Sequence, residues 1–257
     1  MKYFIILIIF VFIFSCSDDG SSKCDNIVCD RWMACNQNDG LCKLKPDRCE
    51  STETCSDGKV CTTQHICVNL NNPCDGISCS NHGQCYAHDG NPVCACERGY
   101  SPSSIDGIDC IPTKYVCKGS FVNYDVDGDG TNESYFSPTE DECFMFEQIN
   151  YTRATHDDEG TPECHTPLMY SVEWSAHARN HSKQMFEAGN LFHADYPNGQ
   201  NCAYGCGVEC EMNMYMNGAN EPHCGELSHH CNIMRCWGSS YVGIGYYNGS
   251  WNTQNFY

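Results

Sequence analysis

Basic side chains are scarce in this sequence. Lys and Arg together number 14 against 33 Asp and Glu, a formal charge of −19 over 257 residues. A chain this acidic repels phosphate backbones and anionic lipid surfaces, so nucleic-acid binding is excluded as a function class. Long apolar runs are missing too: after Phe14 no stretch is long enough to cross a bilayer. There is no His-Glu-x-x-His and no Gly-x-Ser-x-Gly, so hydrolysis has no local motif of its own. Charged residues make up only 18%, which argues against long solvated helices, and 12% aromatic residues argue against disorder.

What the chain has in excess is cysteine, 24 in all. That density marks disulfide-stapled modules in an oxidising compartment. The N-terminus points to the same compartment: after Met1-Lys2 an apolar run from Tyr3 to Phe14 stops at Ser15-Cys16-Ser17. This is the form of a cleaved export signal over residues 1–15. Ile13-Phe14-Ser15-Cys16 resembles a bacterial lipobox, which implies a lipidated Cys16 and a polar tether over 16–23. The expected location is the outer membrane or cell surface, with the lipid as the one membrane contact; without lipidation the protein is secreted.

Cysteine spacing divides the mature chain. Residues 24–68 hold two similar sets, Cys24, Cys29, Cys35, Cys42 and Cys49, Cys55, Cys61, Cys67. Each reads as a mini-module with two bridges, and three pairings are open per set. Zinc is the weaker reading, because no Cys-x-x-Cys pair occurs among them. In 69–111, Cys74, Cys79, Cys85, Cys94, Cys96 and Cys110 are separated by 4, 5, 8, 1 and 13 residues, with Asn81-His82-Gly83 and Gly99-Tyr100 among them. This resembles an EGF-like module, which implies the bridges Cys74–Cys85, Cys79–Cys94 and Cys96–Cys110. Asn69, Asn71 and Asn72 precede it, but Pro73 intervenes and no acid is present, so a spacer or adhesive role is expected there and calcium is not.

Residues 112–136 read as an acidic linker carrying Asp125-Val126-Asp127-Gly128-Asp129-Gly130. Alternating carboxylates with Gly mimic half of an EF-hand loop, but Phe136 stands where the bidentate Glu belongs. A calcium-stiffened turn using Asp125, Asp127, Asp129 and Glu133 competes with a solvated linker.

The last domain, 137–257, is expected to be α+β. Ser137-Pro138-Thr139-Glu140 has the form of a capping box before a helix over 138–153. Ser171 caps a second helix with Trp174, Ala178, His181, Met185 and Ala188 on one face and Gly189 at its end. Ser228 caps a third. Tyr241–Tyr247 and Ser250–Tyr257 are strands joined by Asn248-Gly249, a strong hairpin signal.

Several segments carry a family resemblance. Ile149-Asn150 with Arg153, Leu168-x-Tyr170-Ser171-x-x-Trp174-Ser175-x-x-Ala178-x-x-His181, Phe192-His193 with Gly199-Gln200-Asn201, His229-His230-Cys231-Asn232-Ile233-Met234, and Val242-Gly243-Ile244-Gly245-Tyr246 with Trp251-Asn252-Thr253-Gln254-Asn255-Phe256 resemble, in that order, the CAP (SCP-like) superfamily. The resemblance implies a three-layer α–β–α sandwich and a cleft lined by two His and two Glu that holds a divalent metal in some members. The matching positions are His193, His229, Gln200 and Asn217. Amides replace both carboxylates, which weakens general-base hydrolysis and leaves His193 and His229 as the ligands of a weak zinc-like site. Glu209, Glu211, Glu221 and Glu226 are the acids near enough in sequence to substitute, and His223 and His230 are rival imidazoles. The expected function is a surface interaction protein whose CAP domain binds a lipid, glycan or protein; the alternative is a protease or esterase. No cofactor is required.

Setting aside Cys16, the eight cysteines of 24–68 and the six of the EGF-like module leaves Cys117, Cys143, Cys164, Cys202, Cys206, Cys210, Cys224, Cys231 and Cys236. An odd set predicts four bridges and one free or intermolecular thiol.

Overall fold

The computed structural model describes residues 23, 24, 27, 29, 33–45, 48–52, 55, 58–62, 65–104, 106–126, 129–156, 164–195, 199–217, 228–234 and 239–257. Cys16, Asp127, Glu221, His223, Cys224, Glu226 and Cys236 lie outside them. In the front region β1 (Met33–Cys35) pairs with β2 (Cys42–Leu44), and β3 (Val60–Cys61) with β4 (Cys67–Val68), all antiparallel. Cys24–Cys35 and Cys29–Cys42 clamp the first pair, Cys49–Cys61 and Cys55–Cys67 the second. Each set bridges first to third and second to fourth. Among the described residues of this region the buried side chains are Cys49, Ile66 and Val68. The bridges replace the core, each closing a short loop at a gain of about 3 kcal/mol.

The next module holds β5 (Gly83–His88), β6 (Asn91–Cys96), β7 (Tyr100–Pro102) and β8 (Cys110–Pro112), with bridges Cys74–Cys85, Cys79–Cys94 and Cys96–Cys110. Strand β6 is buried on both faces. Cys94 and Cys96, two residues apart, share the cystine face, while Val93 and Ala95 pack on Ala154 of the following domain. His88 adds a hydrogen bond from its Nε2 to the Ala154 carbonyl (2.8 Å) and stacks on His165 at 3.5 Å. Gly99 N donates to Glu147 Oε2 at 3.1 Å. The module is docked against the C-terminal domain. Upstream, the nearly buried Arg48–Asp106 ion pair (2.7 Å) ties the front region to it.

Residues read as an acidic linker include a hairpin, β9 (Ser120–Tyr124) and β10 (Glu133–Phe136). Val126 and Phe136 are buried against Ala176, so these apolar side chains outweigh the neighbouring charges.

The C-terminal domain runs α1 (Glu140–Thr155), β11 (Met169–Tyr170), α2 (Val172–Ala188), β12 (Gly199–Tyr204), α3 (Val208–Asn217), α4 (His229–Met234), β13 (Tyr241–Tyr247) and β14 (Trp251–Phe256). It is α+β. Helix α1 is capped two residues later than the sequence suggested: Thr139 Oγ1 accepts from Glu142 N (3.3 Å) and Glu142 Oε2 accepts from Thr139 N (2.7 Å). Thr139 keeps the spacing of the motif and lies beyond Pro138. Ser171 and Gly189 bound α2 as expected, Gly189 at φ +62°. Ala188, placed on its buried face from sequence, is exposed. The sheet order is β11-β13-β14-β12, with β11 parallel to β13 and the rest antiparallel. Along β13, Val242, Ile244 and Tyr246 join a core with Met145, Phe146 and Ile149 of α1, Met212 and Tyr215 of α3, and Ile233 of α4. Gly243 and Gly245 face the other way, and α2 rests on them: a Cβ there would run into the backbone of Trp174 and Arg179. Among the described residues nine disulfides form, which fits an exported protein. No described helix is long and apolar enough to cross a membrane.

Candidate functional site

Strand β14 carries four consecutive polar side chains, Asn252, Thr253, Gln254 and Asn255, all fully buried. Each needs partners there. Towards α2, Thr253 Oγ1 meets Ser182 Oγ at 2.9 Å and His181 Nδ1 at 3.2 Å, and Asn255 Oδ1 accepts from Gln200 Nε2 at 2.8 Å. On the opposite face, Asn252 Oδ1 accepts from Tyr215 OH (3.1 Å) and Gln254 Oε1 from Asn201 Nδ2 (3.1 Å). Asn232 Nδ2 donates to Asn201 Oδ1 at 2.9 Å and joins α4 to the network.

This network reaches the surface at His193, on the loop after α2, which is exposed. Its Nδ1 lies 3.1 Å from Gln200 Oε1, an atom that also accepts from Ala194 N at 2.9 Å. Cys202 Sγ is 3.5 Å from the same oxygen, 3.7 Å from His193 Nδ1 and 3.6 Å from the Phe192 carbonyl. Burial pushes the Cys202 thiol up to about 12, with Thr253 opposing. Burial, helped by the field of His193, pushes His181 down to about 4, and its Nε2 is buried without a partner.

His193 and Gln200 are thus brought together. His229 is half-buried with its ring against Tyr215 at 5.2 Å, and its carbonyl accepts from Asn201 Nδ2 at 3.2 Å. Asn217 is exposed at the end of α3 and donates to Asn213 on its own helix at 3.0 Å. Glu209 is exposed, whereas Glu211 is fully buried and accepts from Tyr246 OH. Burial raises Glu211 to about 7. His230 is buried, its Nδ1 3.4 Å from the Met216 carbonyl.

Sequence reasoning missed Cys202, His181, Thr253 and Asn255 as members of the site. A signal existed. Cys202 follows Gln200 by two residues on a strand, so their side chains share a face, and Thr253 and Asn255 stand opposite them in register.

Among the described residues, groups of three or more His, Cys, Asp or Glu with ligand atoms within 4.8 Å of one another are Cys49, Cys55 and Cys61, and Asp125, Asp129 and Glu133. The cysteines are spent in bridges. In the acidic turn Asp125 accepts from Asp129 N (3.0 Å) and Gly130 N (2.9 Å), and Glu133 from Val126 N. These backbone bonds account for the convergence of the carboxylates by themselves. Among the described cysteines after the EGF-like array, Cys117–Cys143 and Cys206–Cys210 are bridged, and Cys202 keeps its thiol.

Within this network His193 is exposed, whereas His181, Ser182, Gln200, Asn201, Thr253 and Asn255 are buried. Among the described residues no carboxylate pairs with His193; its partners are Gln200 and Cys202. No protein-family model matches the chain, and no curated protein matches it.

Proposed function

We propose that the protein is an extracytoplasmic interaction protein, anchored through lipidated Cys16, which displays its C-terminal domain to bind a protein, glycan or lipid. The resemblance of 137–257 to the CAP superfamily underlies the reading. Placement of α2 on one side of the sheet and of α1, α3 and α4 on the other supports a three-layer α–β–α sandwich. Bridges Cys74–Cys85, Cys79–Cys94 and Cys96–Cys110 support an EGF-like spacer in front of it.

One observation carries binding over hydrolysis. The accessible imidazole of His193 is surrounded by neutral partners, and the nearest nucleophile, Cys202, is buried and holds its proton up to about 12. A nucleophile so placed lacks the lowered pKa that activates a thiol. The hydrolase alternative rests on the 3.7 Å approach of Cys202 Sγ to His193 Nδ1.

Anchoring is tested by fractionation of cells expressing the wild type and Cys16→Ala. The wild type is expected in the membrane fraction and open to a protease added outside intact cells. Cys16→Ala is expected in the medium or as unprocessed precursor. Unchanged membrane fractionation of Cys16→Ala overturns the anchor.

A further inference from the structure

We propose that the cleft between the module of β5–β8 and helix α1 binds a short peptide by its two charged ends. The cleft encloses about 550 Å³, within the range that holds a drug-sized ligand and far more than a lone ion fills. Its floor is apolar, made by Phe144, the Cys117–Cys143 bridge, Pro112 and Pro138. Its charges divide by sign. Arg98 and Lys114 come from the module side, whereas Glu140, Asp141 and Glu147 come from α1. Glu140, Phe144 and Glu147 recur at offsets of four and three, so one face of the helix lines the cleft.

Opposite charges in one cleft can simply pair with each other. Here they do not: among the described residues no ion pair joins Arg98 or Lys114 to Glu140 or Asp141. All four side chains are exposed. Arg98 lies with Cζ 4.4 Å from the centroid of the Phe144 ring, and Lys114 Nζ lies 5.1 Å from that of Tyr115. A guanidinium stacked by its face keeps its in-plane N–H groups for an anion.

The walls are fixed before any ligand arrives. Gly99 N donates to Glu147 Oε2 at 3.1 Å, and Gly99 O accepts from Thr113 N at 2.9 Å. Thr113 is buried, and its hydroxyl meets Ser101 Oγ at 2.9 Å. The Cys117–Cys143 bridge then ties the chain after Lys114 to α1 covalently. A site held this way loses little freedom on binding.

A short peptide with free termini matches the cleft in sign. Its carboxylate meets Arg98 and Lys114, its ammonium meets Glu140 and Asp141, and an apolar side chain covers Phe144. A simple anion is repelled from the helix side and a simple cation from the module side. The cleft shares no residue with the His193 network, and the proposal does not depend on what that network binds.

The tripeptide Ala-Leu-Ala is the probe, titrated into the mature, oxidised full-length ectodomain and followed by saturation-transfer NMR, beside its N-acetylated and C-amidated forms. The free tripeptide is expected to bind, and each cap to weaken binding by about fivefold, the upper range for an exposed ion pair. Charge loss on the protein should act selectively. In the Arg98→Ala, Lys114→Ala double variant C-amidation should no longer matter, while N-acetylation still does. The Glu140→Gln, Asp141→Asn double variant should show the reverse. Far-UV circular dichroism checks folding; either double variant decides alone if the other does not fold, and the capped peptides on the wild type need no variant. No saturation transfer to the free tripeptide, equal affinity for all three peptides, or cap effects unchanged in the double variants overturns the proposal.

Discussion

Glu142, fully buried in the first turn of α1, holds the guanidinium of Arg179 from α2 through both of its carboxylate oxygens. The same carboxylate accepts from Thr139 N at 2.7 Å and from Tyr246 N at 3.0 Å, so it joins two helices and a central strand. Arg179 also donates to the Ser137 carbonyl at 2.9 Å and lies 4.1 Å over the ring of Phe136. A buried charge this completely partnered is costly to break from one side. Glu142→Ala strands Arg179 and two backbone N–H groups, and is expected to lose about 3–5 kcal/mol in urea unfolding with the disulfides oxidised. A loss within about 0.5 kcal/mol of zero would show that the ion pair does not tie the helices.

The two glycines of β13 make a second prediction. A methyl at Gly245 would overlap the Arg179 and Ala178 backbone of α2, whereas one at Gly207 would meet nothing within 4 Å. Gly245→Ala is expected to cost about 3 kcal/mol, the upper end of overpacking, and Gly207→Ala almost nothing. Equal melting temperatures for the two variants would contradict the close approach of α2 to the sheet.

Glu211 sets a pH dependence. Folded, its carboxyl is raised by burial to about 7 from an ordinary value of 4.5. Between those values the folded state binds the extra proton, so this group's stabilisation is fully present below about 4.5 and is lost as pH rises through 7. The loss is about 3 kcal/mol. Tyr246 OH on β13 stabilises the ionised form and Asp141 on α1 opposes it. Glu211→Gln should flatten the stability profile between pH 5 and 7 relative to the wild type; parallel profiles would rule Glu211 out as its origin.

Thiol titration tests the cysteine arrangement. The denatured, unreduced mature monomer is expected to show one thiol, that of Cys202. In the native protein this thiol should react far more slowly with an aqueous thiol reagent than after denaturation, because it is buried and its proton is held up to about 12. No thiol in the denatured monomer, or equal rates in the two states, would contradict the placement of Cys202.

Local signals carried much of the fold. Ser171 and Gly189 mark both ends of α2, and Asn248-Gly249 turns the last hairpin with φ of +51° and +68°. Helix α3 escaped notice although Val208, Met212 and Tyr215, at offsets of four and three, form its buried face. The polar network was far less legible. The expected strand over 250–257 says nothing of what Asn252 to Asn255 bond, because their partners Tyr215, His181 and Gln200 lie 37, 72 and 55 residues away in sequence. Only the tertiary fold assembles them. Asn217 shows the reverse case: it matched a cleft position by sequence order, but its side chain bonds Asn213 on its own helix.

Binding without turnover is what the proposed function asserts, and a hydrolysis assay on the mature full-length ectodomain decides it. Casein and a generic aryl ester are incubated with the wild type and with the His193→Ala, His229→Ala double variant, in parallel with a no-protein control. Wild type and double variant are both expected to match the control. Turnover by the wild type that disappears in the double variant would contradict binding without turnover and establish the cleft as catalytic.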